Sequence, residues 1–432
     1  MAKYQPIPSP KLKGLTSNLL GHLIPVSKAA KENQVSLTMG IFFKHLDYYK
    51  ETNSNTFKLR FVNSTYIFTR DKHFYSEVFG AKNEHFTNSI AIKKISKHFF
   101  PNGILIVDGE QWQKIRKVIT KAMNKTSYEK IIPSILNNVN YALNTQSNEV
   151  SPLQTKQGGD TKETKEQSMA NTMNTIDLVN RMTFDAFHSL VYEWNPESLT
   201  NNPEALSIIE SCGQISQCLG ERMFLPNPYI WALATKKNKI YNGAAKRIRD
   251  FADRFITEQK ELLKTNKEEI LKLKKRSLLQ ELILASEEEE QEKNRLTHDE
   301  IIDTVCSLFF AGFDTTSTVL SFALNYLARD QAVQDKLRKE LWEAFPRGEE
   351  DVLKEGIQGI EKVTYLKYIL EEVNRIAPLG FVLRDCISDT EINGYKIKKG
   401  DSVMVDNVGI GLKQDNWNYQ DDLDKFKPER WE

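Results

Sequence analysis

The tetrapeptide Thr297-His298-Asp299-Glu300 is a capping box, and it opens an apolar run from Ile301 to about Ala328. A Thr at the N-cap and a Glu three places on satisfy two of the donors that a helix start leaves unpaired. A helix that long and that apolar belongs in a core, and the rest of the chain must be arranged around it. Its middle reads Ala311-Gly312-Phe313-Asp314-Thr315-Thr316-Ser317. These residues are costly in a buried helix. Gly gives up about 1 kcal/mol against Ala, Thr prefers other conformations, and a polar patch among apolar neighbours needs partners. One reading is a kink, with the Thr hydroxyls bonded back to carbonyls one turn earlier. The other is a site: Gly312 lets a flat ligand or dioxygen reach the backbone, and Asp314 and Thr315 relay protons to it. Local helix distortions of this kind often mark function.

Around this helix the pattern is mostly helical. Trp112, Ile115, Val118 and Ile119 are spaced for a helix over Gly109–Met123. Ile176–Tyr192 and the charged stretch 241–294 read the same way, and helices continue to Arg375. Phe57–Phe68 alternates like paired strands about an Asn63-Ser64 turn. Asp71 is placed to cap a short helix that Gly80 ends. After Pro378 come short strands at 381–384, 390–392, 395–397 and 402–405, with turns at Gly394 and Gly400. The expected class is mainly α with a small β part (α+β). Residues 1–40, with scattered Pro and Gly, read as an irregular lead-in, and 41–432 as one domain. Within it, 145–171 has almost no large apolar residues and reads as a flexible insertion. The acidic run Glu287–Glu290 reads as a solvated loop or helix end.

A formal net charge of +1 over 432 residues speaks against a nucleic-acid binder that works by bulk electrostatics. Cys212, Cys218, Cys306 and Cys386 form no C-x-x-C pair, so neither a zinc site nor a disulfide framework is indicated. They fit a reducing compartment. No stretch reaches the roughly 18 continuous apolar residues of a membrane span, and Met1–Ser9 holds no signal-peptide core.

The segment from Ala311 to Thr316 resembles the oxygen-activation helix of the cytochromes P-450, A-G-x-D/E-T-T/S. Three further motifs follow the family's order. Trp112 and Arg116 resemble its W-x-x-x-R helix. Four apart, they share a face, and both donate hydrogen bonds without accepting any. In the family their partner is a heme propionate; a surface Arg stacked on a half-buried Trp is the plainer alternative. Glu372-Val373-Asn374-Arg375, followed by Pro378, matches E-x-x-R, which elsewhere is often only a surface salt bridge. Phe426-Lys427-Pro428-Glu429-Arg430-Trp431 looks like F-x-P-E-R-F/W. By resemblance Arg430 joins Glu372 and Arg375 in a buried structural triad. Arg384, in Arg384-Asp385-Cys386, stands where the family often places a second propionate donor.

The resemblance implies a cytochrome P-450 fold and heme b, with Trp112, Arg116, Ala311, Gly312, Thr315 and Arg384 as its binding residues and Asp314 and Thr315 as catalytic residues. It implies a monooxygenase that puts one atom of dioxygen into an apolar substrate. Its electrons come from NAD(P)H through a separate flavin or iron–sulfur reductase. The expected location is the cytoplasm or the cytoplasmic face of the endoplasmic reticulum. The sequence departs from the family in one respect. The family's F-x-x-G-x-R-x-C-x-G loop, whose cysteine holds the iron, is not among these residues, and none of the four cysteines replaces it. The metal ligand is therefore expected to be absent from this chain, with core apolar surface left open where the family's next helix would lie. The chain is expected to be incomplete and inactive as it stands. A degenerate member that binds an apolar ligand or a partner without catalysis is the alternative. Phe99, Phe100, Phe224, Phe309, Phe310 and Phe313 either line an apolar pocket or are plain core.

Overall fold

The computed structural model describes residues 5–11, 37–61, 64–97, 99–126, 128–149, 174–222, 233, 235–273, 276–417 and 422–432. Helix α1 (Leu37–Thr52) precedes the hairpin β1 (Thr56–Phe61) and β2 (Ser64–Thr69), then α2 (Lys72–Ser76), β3 (Phe86–Asn88) and α3 (Ile90–Ser96). The helical body follows: α4 (Gly109–Lys125), α5 (Ile131–Glu149), α6 (Thr175–Tyr192), α7 (Pro203–Arg222), α8 (Lys236–Lys272) and α9 (Leu278–Glu287). It continues through α10 (His298–Gly312), α11 (Asp314–Arg329), α12 (Gln331–Ala344), α13 (Glu349–Ile360) and α14 (Thr364–Ile376). The last strands are β4 (Phe381–Cys386), β5 (Thr390–Ile392), β6 (Tyr395–Ile397) and β7 (Ser402–Asp406), with α15 (Asn407–Leu412) and a 3₁₀ turn over Pro428–Trp431 after them.

The sheet joins the two ends of the chain. Its order is β1-β2-β7-β4-β3. β1 and β2 pair antiparallel from Thr56↔Thr69 to Phe61↔Ser64, which is the alternation the sequence predicts, and Phe57 stacks on Phe68 at 5.2 Å. β2 and β7 pair in parallel, Tyr66↔Ser402 to Thr69↔Val405. Every residue of β7 is buried, as a central strand covered on both faces requires. β5 and β6 form a separate hairpin whose Asn393 and Gly394 take φ of 51° and 78°, the left-handed pair that a tight two-residue turn demands.

Asp71 caps α2 through the amides of His73 and Phe74, and the Thr297–Glu300 capping box is formed in both directions. The largest apolar core gathers α3, α4 and α6 to α10. Three expectations shift. α5 continues to Glu149, so helix occupies the start of the stretch read as an insertion, and 150–173 lies outside the described residues. α1 begins at Leu37, inside the expected lead-in. In the acidic run, Glu289 is buried and holds Lys117 at 2.6 Å and Lys121 at 3.0 Å, so this carboxylate pins the end of α9 to α4 instead of facing water. Those lysine bonds hold it below the usual carboxylate range.

The E-x-x-R helix and the P-E-R-W turn meet in a buried knot. Glu372 accepts from Arg375 Nε and Nη2, both at 2.8 Å. It also accepts from the Lys427 amide at 2.9 Å, Arg430 Nε at 3.1 Å and Trp431 Nε1 at 3.1 Å. Arg375 Nη1 donates to the carbonyls of Gly411 and Leu423. Burial alone would raise the Glu372 carboxyl, but these donors outweigh it and hold it low.

Candidate active site

Between α10 and α11 the helix falters at Phe313. The Thr315 hydroxyl donates to the Ala311 carbonyl at 2.5 Å, and Ser317 and Thr318 bond back to the Asp314 carbonyl at 2.9 Å each. The back-bonded kink is therefore present, and a hydroxyl bound in this way keeps its acceptor lone pairs. Gly312 has a packing reason of its own: a Cβ there would lie 2.8 Å from the Phe187 ring of α6. Its open side thus receives a neighbouring helix.

By length and composition Glu292–Arg329 could cross a membrane, although no continuous apolar run was evident in the sequence, and only 33% of its most apolar window is buried. A core helix passes the same test, so this is weak evidence for a span. Two of its faces are open. Ala311 is exposed and Thr315 half-buried one turn on. Asp314 points elsewhere, into a groove of about 850 Å³ lined by Thr175, Ile176 and Asn180 of α6 and by Thr318, Phe322 and Asn325 of α11. Burial raises the Asp314 carboxyl above its ordinary value. Leu324 in this groove is exposed.

The predicted anionic-edge residues gather at the start of α4. Arg384 pairs in register with Asn88 across β4 and β3, and Asn88 Nδ2 donates to Asp108, the residue preceding α4, at 3.0 Å. Thr87 donates to the same carboxylate at 2.8 Å, and Lys93 makes an ion pair with it. One turn into α4, Trp112 is 36% exposed and carries the Arg116 guanidinium 5.3 Å from its ring centre. The plainer expectation for this pair, Arg on Trp, is what the side chains adopt. Among the described residues neither the Trp112 indole N–H nor the Arg116 guanidinium has a hydrogen-bond or ion-pair partner. Arg384 rests 4.8 Å from the centre of the Phe79 ring, and among the described residues its side chain donates to the Leu383 carbonyl alone. Burial lowers its pKa, which the Asp108 charge partly offsets.

Loop residues 99–107 connect this edge to the open helix face. Phe100 lies 5.5 Å from Phe310, beside Ala311. Of the phenylalanines expected as pocket or core, Phe100 is buried in the core and Phe310 is half-buried against it. Phe99, Phe309 and Phe313 are buried in the core, and Phe224 lies outside the described residues. An uncommitted cationic edge fits the two carboxylates of a flat dianionic group such as heme b. All four cysteines are free and buried. Burial raises Cys218 and Cys386 to about 11 and Cys306 to about 12, and Cys212 well above its usual value.

Comparison with known proteins places the chain in a family. The family model described as Cytochrome P450 matches residues 32–432. Cytochrome P450 94A1 of Vicia sativa is 26% identical over 357 residues, covering 81% of this chain and 61% of that protein. Cytochrome P450 4V2 of Rattus norvegicus is 24% identical over 340 residues, covering 76% and 59%. 5-epiaristolochene 1,3-dihydroxylase of Nicotiana tabacum is 34% identical over 139 residues, covering 32% and 26%. The chain thus spans about 60% of the length of the first two relatives. A match across 32–432 is far more than half of the sequence, and it makes this chain a member of the cytochrome P450 family, whose cofactor is heme b.

Proposed function

We propose that the protein is a heme-dependent monooxygenase that places one oxygen atom in an apolar organic substrate. Electrons reach it from NAD(P)H through a separate reductase, and 41–432 serves as one domain. The observation that carries the reading is the uncommitted donor set of Trp112, Arg116 and Arg384. When bound, heme supplies the oxygen-activating chemistry. Trp112 and Arg116 hold one cofactor carboxylate and Arg384 the other. Charge-assisted bonds of this type are about twice as strong as neutral ones. Ala311 and Thr315 form the wall at the cofactor face, and Gly312 lets Phe187 of α6 pack against the helix behind them. The Thr315 hydroxyl keeps its proton on the Ala311 carbonyl and accepts a hydrogen bond from the face side. Asp314, exposed in its groove, is the carboxyl placed to exchange protons with water there. Phe100 and Phe310 exclude water on the substrate side. The related dihydroxylase of Nicotiana tabacum suits an apolar substrate.

Hemin titration of the full-length protein tests this. The expected result is saturable uptake with a sharpened Soret band, weakened by Arg116→Leu and Arg384→Leu. Uptake indifferent to both variants would refute the anchoring roles.

A further inference from the structure

The Asp303 carboxylate, one turn before Ser307 on α10, is 0% exposed. A carboxylate so placed needs partners on both oxygens. Oδ2 accepts from the Asn102 amide and from Asn102 Nδ2, each at 2.9 Å. Oδ1 pairs with Arg249 of α8. The same guanidinium nitrogen reaches the Phe99 carbonyl at 3.2 Å, and Asn102 Oδ1 accepts from Gln111, in the first turn of α4, at 3.2 Å. One buried charge therefore ties α8, α10, α4 and the loop between α3 and α4. The loop's own backbone bonds are all local, from Phe99 and Phe100 to Ser96, from Gly103 to Phe100 and from Ile106 and Val107 to Gly103. Among the described residues every hydrogen bond from 99–107 to α10 ends on Asp303. One turn along, the Gly103 backbone presses on the Ser307 hydroxyl so closely that a Cβ has no room.

We propose that Asp303 is a positioning residue: it fixes the loop on α10 and so sets the separation between the Trp112–Arg116 pair and the open Ala311–Thr315 face. The inference rests on the cofactor reading above and adds what holds the slot at its width. Asp303 touches neither cofactor nor substrate. It acts through Asn102 and Gln111 on where α4 begins, and through Phe99 on the ring of Phe100.

The test uses full-length protein with Asp303→Asn and Arg249→Met, and Val305→Ala as the reference. Val305 is buried on the same helix and, among the described residues, makes no hydrogen bond to the loop. Hydrogen exchange is followed on heme-free protein, and hemin affinity is titrated separately. In the two clamp variants the Gly103, Ile106 and Val107 amides exchange about tenfold faster or more, while the amides of α9 keep the rates of the Val305→Ala protein. Hemin binding weakens several-fold beyond that reference, and Arg249→Lys recovers part of both effects. Loop exchange no faster than in Val305→Ala overturns the proposal, as does equal hemin affinity. If wild-type protein takes up no hemin, the cofactor reading falls, and the exchange arm still decides whether Asp303 holds the loop.

Discussion

Two arginine clusters in this molecule differ in one respect. Around Glu372, the guanidinium groups of Arg375 and Arg430 are buried and meet a carboxylate and backbone carbonyls supplied by the chain itself. At the start of α4, Arg116 and Arg384 have no carboxylate partner among the described residues, while Asp108 nearby is taken up by Lys93, Thr87 and Asn88. The first cluster is closed and holds the fold. The second is open, and its missing acceptor is the shape of a ligand. Arginine content does not separate a strut from a site; the count of acceptors within the chain does.

The contrast breaks most visibly at Glu372. Glu372→Gln leaves two buried cations short of a counter-charge and is expected to lose about 3–5 kcal/mol in denaturant unfolding; a loss under about 1 kcal/mol would make the knot ornamental. On the open side the effect should fall on binding. Arg116→Leu is expected to weaken hemin roughly tenfold or more, the scale of one charged hydrogen bond, and to change stability by less than about 1 kcal/mol. Equal damage to both would erase the distinction between the clusters. Thr315→Ala leaves both clusters untouched. In the reconstituted full-length system it should raise peroxide released per NAD(P)H roughly several-fold, and unchanged coupling would remove Thr315 from proton handling. The smallest effect is on pH. The Glu372 carboxyl is held below its unfolded value of about 4.3. Its contribution is therefore complete above that value and lost as pH falls through the lower folded one. The acid limb of the stability profile should flatten in Glu372→Gln, and an unchanged limb would show that other carboxylates dominate it.

The sequence made local devices legible. The Thr297 capping box, the Asp71 cap, the β1–β2 alternation and the Glu372–Arg375 pair each rest on residues a few places apart. The Arg430 contact came only through resemblance. What stayed hidden depends on distant partners. Nothing around Glu289 announces Lys117 and Lys121, so the residue reads as one more solvated charge. Gly312 reads as room for a ligand until Phe187 arrives from α6. Asp303 looks like an ordinary polar position in an apolar helix, because Asn102 and Arg249 come from elements far away along the chain. Asp314 and Thr315 are adjacent in sequence yet open onto different surroundings, since successive helical residues turn by about 100°.

The parallel pairing of Tyr66 with Ser402 has a cost in time. At ~5–20 residues per second a ribosome needs roughly 20 to 70 s between making the two strands. Throughout that interval the β1–β2 hairpin offers an unpaired apolar edge, a template for the wrong neighbour. Closing so long a loop is slow, so the early hairpin is where a chaperone has most to shield.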